Sequence, residues 1–302
     1  MPQRSSFALS GFDILLYAGV VWGWSTSWYA MTYQTVVPGE TAVFWRFLLA
    51  APLMFGLARW RGERLVYPAK MHVGLFISGL CMFSTNFILM YYAASFIPSG
   101  LLAVVFSLAS IINFVLGMAL FGEPFRWRLA IGGLLGVLGV AALSSPRFAG
   151  VSASEGTMRG LTLAIAGTVC FSIGNQASAR LQKSGLTVLA SAAWGMVYGT
   201  IMAAIYVIVR GNSFAVPLTL PFWLSSVFLI LSATILAFYS YLTLLGHIGA
   251  ARASYATVIF PVFALMISSM LEDYRWTPLA IVGLVLAAAG NVLILRRDPV
   301  RS

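Results

Sequence analysis

The chain has 302 residues, of which 60% are hydrophobic and only 9% are charged. An ordinary soluble domain has about 25% charged residues, so this composition excludes a water-soluble globular protein. The formal net charge of +10 would suit nucleic-acid binding until the basic residues are placed. The two cysteines do not make a disulfide framework and have no metal-ligand spacing, so we expect neither metal nor cofactor.

Long apolar runs follow one another from end to end, separated by short gaps. Their lengths suit helices that cross a hydrocarbon layer about 30 Å thick. The sequence therefore predicts an all-α membrane protein with ten transmembrane helices, at about 13–36, 40–60, 70–92, 98–120, 125–144, 159–182, 187–209, 221–246, 251–271 and 277–296. The first run is too long for a signal peptide, and the gaps leave no room for a soluble domain.

The basic residues fall unevenly on the two sides of these segments. Thirteen Lys and Arg residues lie on the side that holds both termini and four lie on the other side, with Arg46 inside the second segment. By the positive-inside rule, both termini are predicted to be cytoplasmic. Because membrane orientation explains the basic surplus, we expect no nucleic-acid partner.

A motif near the middle of the chain returns near its end. GEPFRW at 122–127 aligns with LEDYRW at 271–276, so that Glu123, Arg126 and Trp127 each match an identical residue 149 positions later. The offset is about half of the chain length, so the sequence consists of two copies of one unit.

This duplication predicts the architecture. Five predicted segments separate the two copies, and an odd number of crossings turns the second copy upside down. The sequence predicts two inverted five-helix repeats, 13–144 and 159–296, an arrangement of many transporters in which the substrate binds between the halves. The charged residues of the motif, such as Glu272 and Arg275, are expected to pair and hold a turn rather than to act as a gate.

Four short motifs resemble those of a known family. They are WG at 22–23, WRF at 45–47, GEPFRW at 122–127 and FPVFA at 260–264. With the five-plus-five arrangement, they resemble the EamA-type branch of the drug/metabolite transporter superfamily, over residues 13–296. Within this branch, the abundance of aromatic residues and the overall pattern of the chain are most similar to those of the YddG-type amino-acid exporters. The resemblance implies export of aromatic and other neutral amino acids across the inner membrane, by alternating access through a central cavity and without a covalent step.

Polar and aromatic residues inside the segments are candidates for the cavity wall, because an unpartnered polar side chain is costly in lipid. The candidate substrate-binding residues are Trp22, Thr26, Tyr29, Thr85, Asn86, Tyr92, Ser110, Asn113, Asn175, Thr234, Tyr241 and Tyr255. Aromatic rings would hold a large side chain, while hydroxyls and amides would hold amino and carboxylate groups. Hydrogen bonding or close packing between helices would explain the same residues.

Charges and prolines inside the segments bear on mechanism. The eight acidic residues lie at segment ends or in loops, whereas coupled carriers usually place a carboxylate in the membrane interior, so facilitated transport is expected. Pro261 interrupts the ninth segment and is predicted to be a hinge. Arg46 lies about 9 Å from the end of its segment, at ~1.5 Å per residue, and is expected to snorkel or pair there as a structural anchor.

Rival functions fit less well. A membrane enzyme would need a nucleophile–base pair, a metal cluster or a phosphate-binding loop, and His72 and His247 have no such company. A channel would need a ring of charges or a filter sequence. A drug or nucleotide-sugar carrier on the same fold remains the alternative. The expected partners are amino acids and the lipid bilayer, and a monomer is compatible with the sequence.

Overall fold

The computed structural model describes residues 10–122, 125, 127–148, 155–248, 256–272, 274 and 276–295. Every regular element in these residues is a helix. The helices, numbered in chain order, are α1 (Gly11–Thr32), α2 (Gly39–Trp60), α3 (Ala69–Leu80, Cys81–Thr85 and Asn86–Ala94), α4 (Ser99–Ser107 and Ala109–Phe121), α5 (Trp127–Phe148), α6 (Glu155–Lys183), α7 (Val188–Val209), α8 (Leu220–Phe228, Leu229–Leu236 and Ala237–Ile248), α9 (Ala256–Leu271) and α10 (Pro278–Leu295).

Apolar length makes this a multi-pass membrane protein. In the described residues, six helices are long and apolar enough to cross a membrane, namely α2, α3, α4, α6, α7 and α8. Shorter apolar helices occupy Ala130–Leu143, Ile259–Leu271 and Pro278–Leu293. The all-α membrane class predicted from composition is confirmed, while the count of ten crossings and the cytoplasmic placement of the termini stay predictions.

Local sequence signals start several helices. Ser10 and Asp13 form a capping box at the start of α1, in which each backbone N–H donates to the other residue's side chain at 3.1 Å. Pro38, Pro68 and Pro98 immediately precede α2, α3 and α4 with extended backbone angles. Proline is favoured at the start of a helix because N–H groups there have no acceptor within the helix, so the missing proline N–H costs no hydrogen bond.

Glycines with a left-handed backbone end α2 and α7. Gly62 has φ 72° and Gly211 has φ 67°, a conformation that glycine adopts without steric cost. The two residues lie 149 positions apart, so α2 and α7 keep the spacing of the sequence repeat.

The largest contacts between helices are preserved when the first five helices are exchanged with the last five. α1 packs against α8 and α9, and α6 packs against α3 and α4. α3 packs against α7 as α8 packs against α2, while the pairs α2 with α7, α4 with α9 and α5 with α10 join equivalent helices. The two halves therefore interlock, and the space between them is bounded by helices from both.

α5 and α10 pack backbone against backbone. A Cβ added to Gly139 would lie 2.6 Å from the Gly283 carbonyl oxygen, and one added to Gly290 would lie 2.4 Å from the Gly132 carbonyl oxygen. No real side chain fits at such distances, so the pair depends on glycine, as small-residue packing in membranes predicts.

Three helices lose regular α geometry partway along. α3 is π-helical over Cys81–Thr85, α8 is π-helical over Leu229–Leu236, and α4 is interrupted at Leu108. Such irregular turns are frequent at functional sites.

Each π-helical stretch is packed against a glycine of the opposite half. A Cβ added to Gly174 of α6 would lie 2.8 Å from the Met82 backbone nitrogen, and one added to Gly23 of α1 would lie 2.8 Å from the Ser232 carbonyl oxygen. The helices cross closely there because glycine removes the side chain at the contact.

The repeated motif joins helices at its second copy. Glu123, Arg126 and Arg275 lie outside the described residues, so the predicted turn pairs stay predictions. The Glu272 carboxylate accepts hydrogen bonds from the Ser99 backbone N–H at 3.0 Å and the Ser99 hydroxyl at 2.6 Å. A carboxylate at a helix N-terminus is favourable, and this one ties the start of α4 to the end of α9.

The glycine contact between α5 and α10 generates a stability prediction. We expect Gly139→Ala to lower the free energy of unfolding by about 1–3 kcal/mol, because the new methyl group overpacks the contact. Thermal unfolding of the purified protein in detergent measures the effect. Gly56→Ala is the matched control, since nothing lies within 4 Å of its Cβ position. Equal unfolding temperatures for the two variants would contradict the packing role.

Candidate functional site

A cavity of about 390 Å³ lies between the two halves of the bundle. Side chains from α1 to α4 and from α6 to α9 line it, so both repeats contribute. Sites for small molecules typically occupy about 300–1,000 Å³ and combine apolar walls with a few polar groups. The size and position of the cavity suit one small molecule held between the repeats.

Aromatic rings form one wall of the cavity. The Trp24 and Phe260 ring centroids lie 6.0 Å apart, and the Phe106 ring lies 5.4 Å from Trp28 and 4.6 Å from Phe171. These rings come from α1, α4, α6 and α9 and meet edge to face or tilted, the geometry aromatic pairs prefer. They offer a rigid apolar surface to a ligand.

An amide cluster joins α4 to α6 at the cavity. The Asn175 side-chain NH₂ donates to the Asn113 side-chain oxygen at 3.1 Å, and the Gln176 side-chain NH₂ donates to the Asn113 carbonyl oxygen at 2.6 Å. Ser178 and Ser191 share a hydroxyl hydrogen bond of 2.8 Å between α6 and α7. The polar residues thus bond between helices while Asn113, Asn175 and both serines also face the cavity.

Half of the sequence candidates line the cavity. These are Asn86, Ser110, Asn113, Asn175, Thr234 and Tyr241. Pro261 lies buried inside α9 beside Phe260, which also lines the cavity. Tyr255 lies outside the described residues.

The candidates on α1 lie away from the cavity. Trp22 is 60% exposed on the outside of the bundle. The Thr26 hydroxyl donates to the Trp22 carbonyl oxygen at 2.6 Å, and the Tyr29 and Tyr33 hydroxyls bond each other at 3.1 Å. Each of these hydroxyl groups has a hydrogen-bond partner within four residues of the chain. A polar side chain on α1 can therefore lie in a membrane helix without facing a cavity.

The cavity faces of α1 and α6 do not keep the spacing of the repeated motif. The cavity face of α1 carries Trp24, Trp28 and Met31, and that of α6 carries Phe171, Asn175 and Ser178. These two sets are 147 residues apart rather than 149. A shift of two residues turns a helical face by about 200°, so the face of α1 that matches the α6 cavity face at an offset of 149 lies on the opposite side of α1 from the cavity.

Thr85 also lies away from the cavity, and its counterpart Thr234 lines it. Four of the five cavity residues of α3, Met82, Phe83, Phe87 and Met90, precede Ala233, Thr234, Phe238 and Tyr241 of α8 by 151 positions. The π-helical stretch spans 5 residues in α3 and 8 in α8. Because π-helical turns contain more residues than α-helical turns, unequal stretches shift the register, and the Thr85 hydroxyl instead meets the Tyr206 hydroxyl at 3.3 Å.

Tyr92 belongs to a network at a bundle end rather than to the cavity. Its hydroxyl donates to the Glu40 carboxylate at 2.8 Å. The same carboxylate accepts from the Asn212 side chain at 2.6 Å and forms an ion pair with Arg210 at 3.5 Å. Glu40 is fully buried, and its partners from α3 and from the end of α7 satisfy the charge, so the network holds three helices together.

Arg46 lines the cavity, which sequence reasoning missed. The side chain is only 6% exposed, so the expected snorkelling to the surface is wrong. Its guanidinium carbon lies 4.6 Å from the centroid of the Phe87 ring, and its Nε has no hydrogen-bond partner in the described part of the chain. The sequence did contain a sign of this role, because Arg46 is the one basic residue that lies well inside a predicted segment.

Comparisons with known proteins agree with this geometry. The sequence profile of the EamA-like transporter family matches the chain twice, at 10–145 and 158–296. Protein PagO of Salmonella typhimurium is 31% identical over 94 residues, which cover 31% of this chain and 31% of PagO. A probable amino-acid metabolite efflux pump of Escherichia coli K12 is 25% identical over 294 residues, which cover 94% of this chain and 95% of that protein.

The fold has also been seen in a solved crystal structure. That chain superposes with a TM-score of 0.67 at 18% identity, covering 93% of this chain and 95% of its own length. Because the family profile matches both halves of the chain, the protein belongs to the EamA-like transporter family.

Proposed function

We propose that the protein exports amino acids, aromatic and other neutral ones, through its central cavity by alternating access. As a member of a transporter family, it is a transporter and not an enzyme. The observation that carries the proposal is the cavity of about 390 Å³, with aromatic walls and amide groups, between the two repeats. The similarity to the E. coli relative, a probable amino-acid metabolite efflux pump, supports the substrate class.

In this proposal ten helices cross the inner membrane, and the repeat 159–296 is inverted relative to 13–144. Two observations support it. The largest contacts between helices survive exchange of the two halves, as expected for an inverted pair. Thirteen Lys and Arg residues against four favour cytoplasmic termini.

The irregular helices supply the bending points for alternating access. The π-helical stretches of α3 and α8, the interruption of α4 and Pro261 of α9 all adjoin residues that line the cavity. At one end α4 and α9 are in contact, since a Cβ added to Gly100 would lie 2.6 Å from the Leu265 Cα. Bending at the cavity would separate this end while bringing the other ends together.

We propose that transport is facilitated, without coupling to an ion gradient. Coupled carriers usually use an intramembrane carboxylate, whereas Glu40 and Glu272 here are engaged in contacts at helix ends. A substrate would then follow its own gradient, with export set by its higher concentration in the cytoplasm.

A carrier of anionic metabolites, such as a nucleotide sugar, is the second candidate. Arg46 in the cavity wall favours it, because guanidinium groups bind phosphate as well as carboxylate. The aromatic wall favours the amino acid. A transport assay distinguishes the two candidates, because they predict movement of different substrates.

The first prediction from the proposed function concerns the substrate. In liposomes containing the purified protein, we expect counterflow of labelled phenylalanine and threonine that an imposed proton gradient does not change. A nucleoside and a nucleotide sugar should not move. Movement of the nucleotide sugar alone would replace the proposal with its alternative, and strong dependence on the gradient would contradict facilitated transport.

The second prediction concerns the amide cluster. We expect Asn175→Leu to weaken phenylalanine binding by about tenfold, because loss of a buried hydrogen-bond partner costs ~1–3 kcal/mol. Concentration dependence of counterflow measures the change. Asn291→Leu is the matched control, since Asn291 is a buried amide that bonds the Ala287 carbonyl oxygen within α10, outside the cavity wall. A similar loss in both variants would point to folding rather than to binding.

The third prediction concerns the hinge. Pro261→Ala should slow counterflow more than it changes the half-saturating concentration, because it restores a backbone hydrogen bond and stiffens α9. Pro52→Ala is the control, since Pro52 lies inside α2 and is exposed outside the cavity. Proportional changes in rate and affinity would count against the hinge.

A further inference from the structure

We infer that Arg46 and Asn86 together bind the head group of an α-amino acid, with Arg46 holding the carboxylate and the Asn86 side-chain oxygen accepting from the ammonium group. The inference rests on the proposed function and identifies which part of the substrate each residue holds. Both residues line the cavity, and both are at least nine-tenths buried.

The guanidinium of Arg46 is held by neutral groups. It lies over the Phe87 ring at 4.6 Å, and the Tyr91 hydroxyl is close enough to interact with it electrostatically. Tyr91 donates its own proton to the Gln34 side-chain oxygen, and Gln34 in turn donates to Ser226 at 2.6 Å. The hydroxyl is therefore fixed in direction and can only accept from Arg46.

Among the described residues, this arrangement leaves a positive charge without a counter-charge. Arginine stays protonated in proteins, and a buried cation needs an anion to offset its lost hydration. The Arg46 Nε has no hydrogen-bond partner in the described part of the molecule. An anion that entered the cavity would find an N–H donor already desolvated, and a carboxylate matches the planar fork of a guanidinium.

Asn86 offers the opposite chemistry. Its side-chain NH₂ donates to the Met82 carbonyl oxygen at 3.3 Å, which assigns its orientation. The side-chain oxygen is buried and has no partner. An amide oxygen accepts hydrogen bonds and cannot donate them, so the ligand group it suits is a donor such as an ammonium.

These two atoms stand apart from other unpaired polar atoms. Of the buried side-chain atoms without a partner in the described residues, the two that belong to cavity-lining residues are the Arg46 Nε and the Asn86 oxygen. One is a donor with positive charge and the other is an acceptor. Asn86 directly precedes Phe87, the residue whose ring carries the guanidinium. A zwitterion presents the complementary pair of groups on a single carbon.

The repeat supports a ligand role for Arg46. Phe47 and Met196 both line the cavity and are 149 positions apart, so the register of α2 and α7 is secure. In that register the counterpart of Arg46 is Gly195. The fold packs the equivalent position without a cation, so packing alone does not require the arginine.

The test compares three ligands that differ only in the head group. Counterflow of labelled phenylalanine in liposomes is competed with unlabelled phenylalanine, 3-phenylpropionate and phenethylamine. We expect 3-phenylpropionate, which lacks the ammonium, to compete about tenfold less well, and phenethylamine, which lacks the carboxylate, about 100-fold less well.

Variants then assign each group to its residue. Arg46→Gln should weaken phenylalanine about 10- to 100-fold and leave phenethylamine unchanged, while Arg46→Lys should restore part of the affinity because it keeps the charge. Asn86→Leu should weaken phenylalanine but not 3-phenylpropionate. Arg59→Gln is the matched control, since Arg59 is exposed in the last turn of the same helix.

The outcomes separate the two proposals. Phenethylamine competing as well as phenylalanine with the wild-type protein would overturn the inference without any variant, even if Arg46→Gln failed to fold. Equal losses for phenylalanine and phenethylamine in Arg46→Gln would make the arginine structural. Counterflow of no amino acid by the wild-type protein would overturn the proposed function, and the inference with it.

Discussion

The cost of an unbonded polar group in hydrocarbon is the constraint on which this structure depends. The Thr26 hydroxyl bonds its own helix, and buried Glu40 collects partners from two other elements. A polar residue in a membrane helix is therefore not by itself a sign of a cavity. The informative atoms are those that stay unpaired beside the open space, and at Arg46 and Asn86 these are a donor and an acceptor.

The bundle combines a symmetric framework with an asymmetric interior. The glycine contact of α5 with α10 and the left-handed glycines that end α2 and α7 keep the two repeats alike. Inside, the position equivalent to Arg46 in the other repeat is Gly195, and the offset between the cavity faces of α3 and α8 differs by two residues from the repeat spacing. The framework fixes where a ligand can sit, and the interior differences fix what it can be.

Much of the fold follows from the sequence, because apolar length and a duplicated motif are strong, additive signals. The amides Asn86, Asn113 and Asn175 were found because a buried amide needs several partners wherever it sits. The cavity face of α1 could not be found, since it required the register between α1 and α6. Arg46 was misjudged because snorkelling depends on the room that neighbouring side chains leave, which a sequence does not state.

The unequal π-helical stretches have a consequence for how such repeats diverge. A π-helical stretch accommodates an extra residue inside a helix, while both ends of the helix keep their places in the bundle. Each residue gained turns the side chains beyond it by about 100°. The stretches of 5 residues in α3 and 8 in α8 thus allow a duplicated gene to present new side chains to its interior through small insertions, without rebuilding the scaffold.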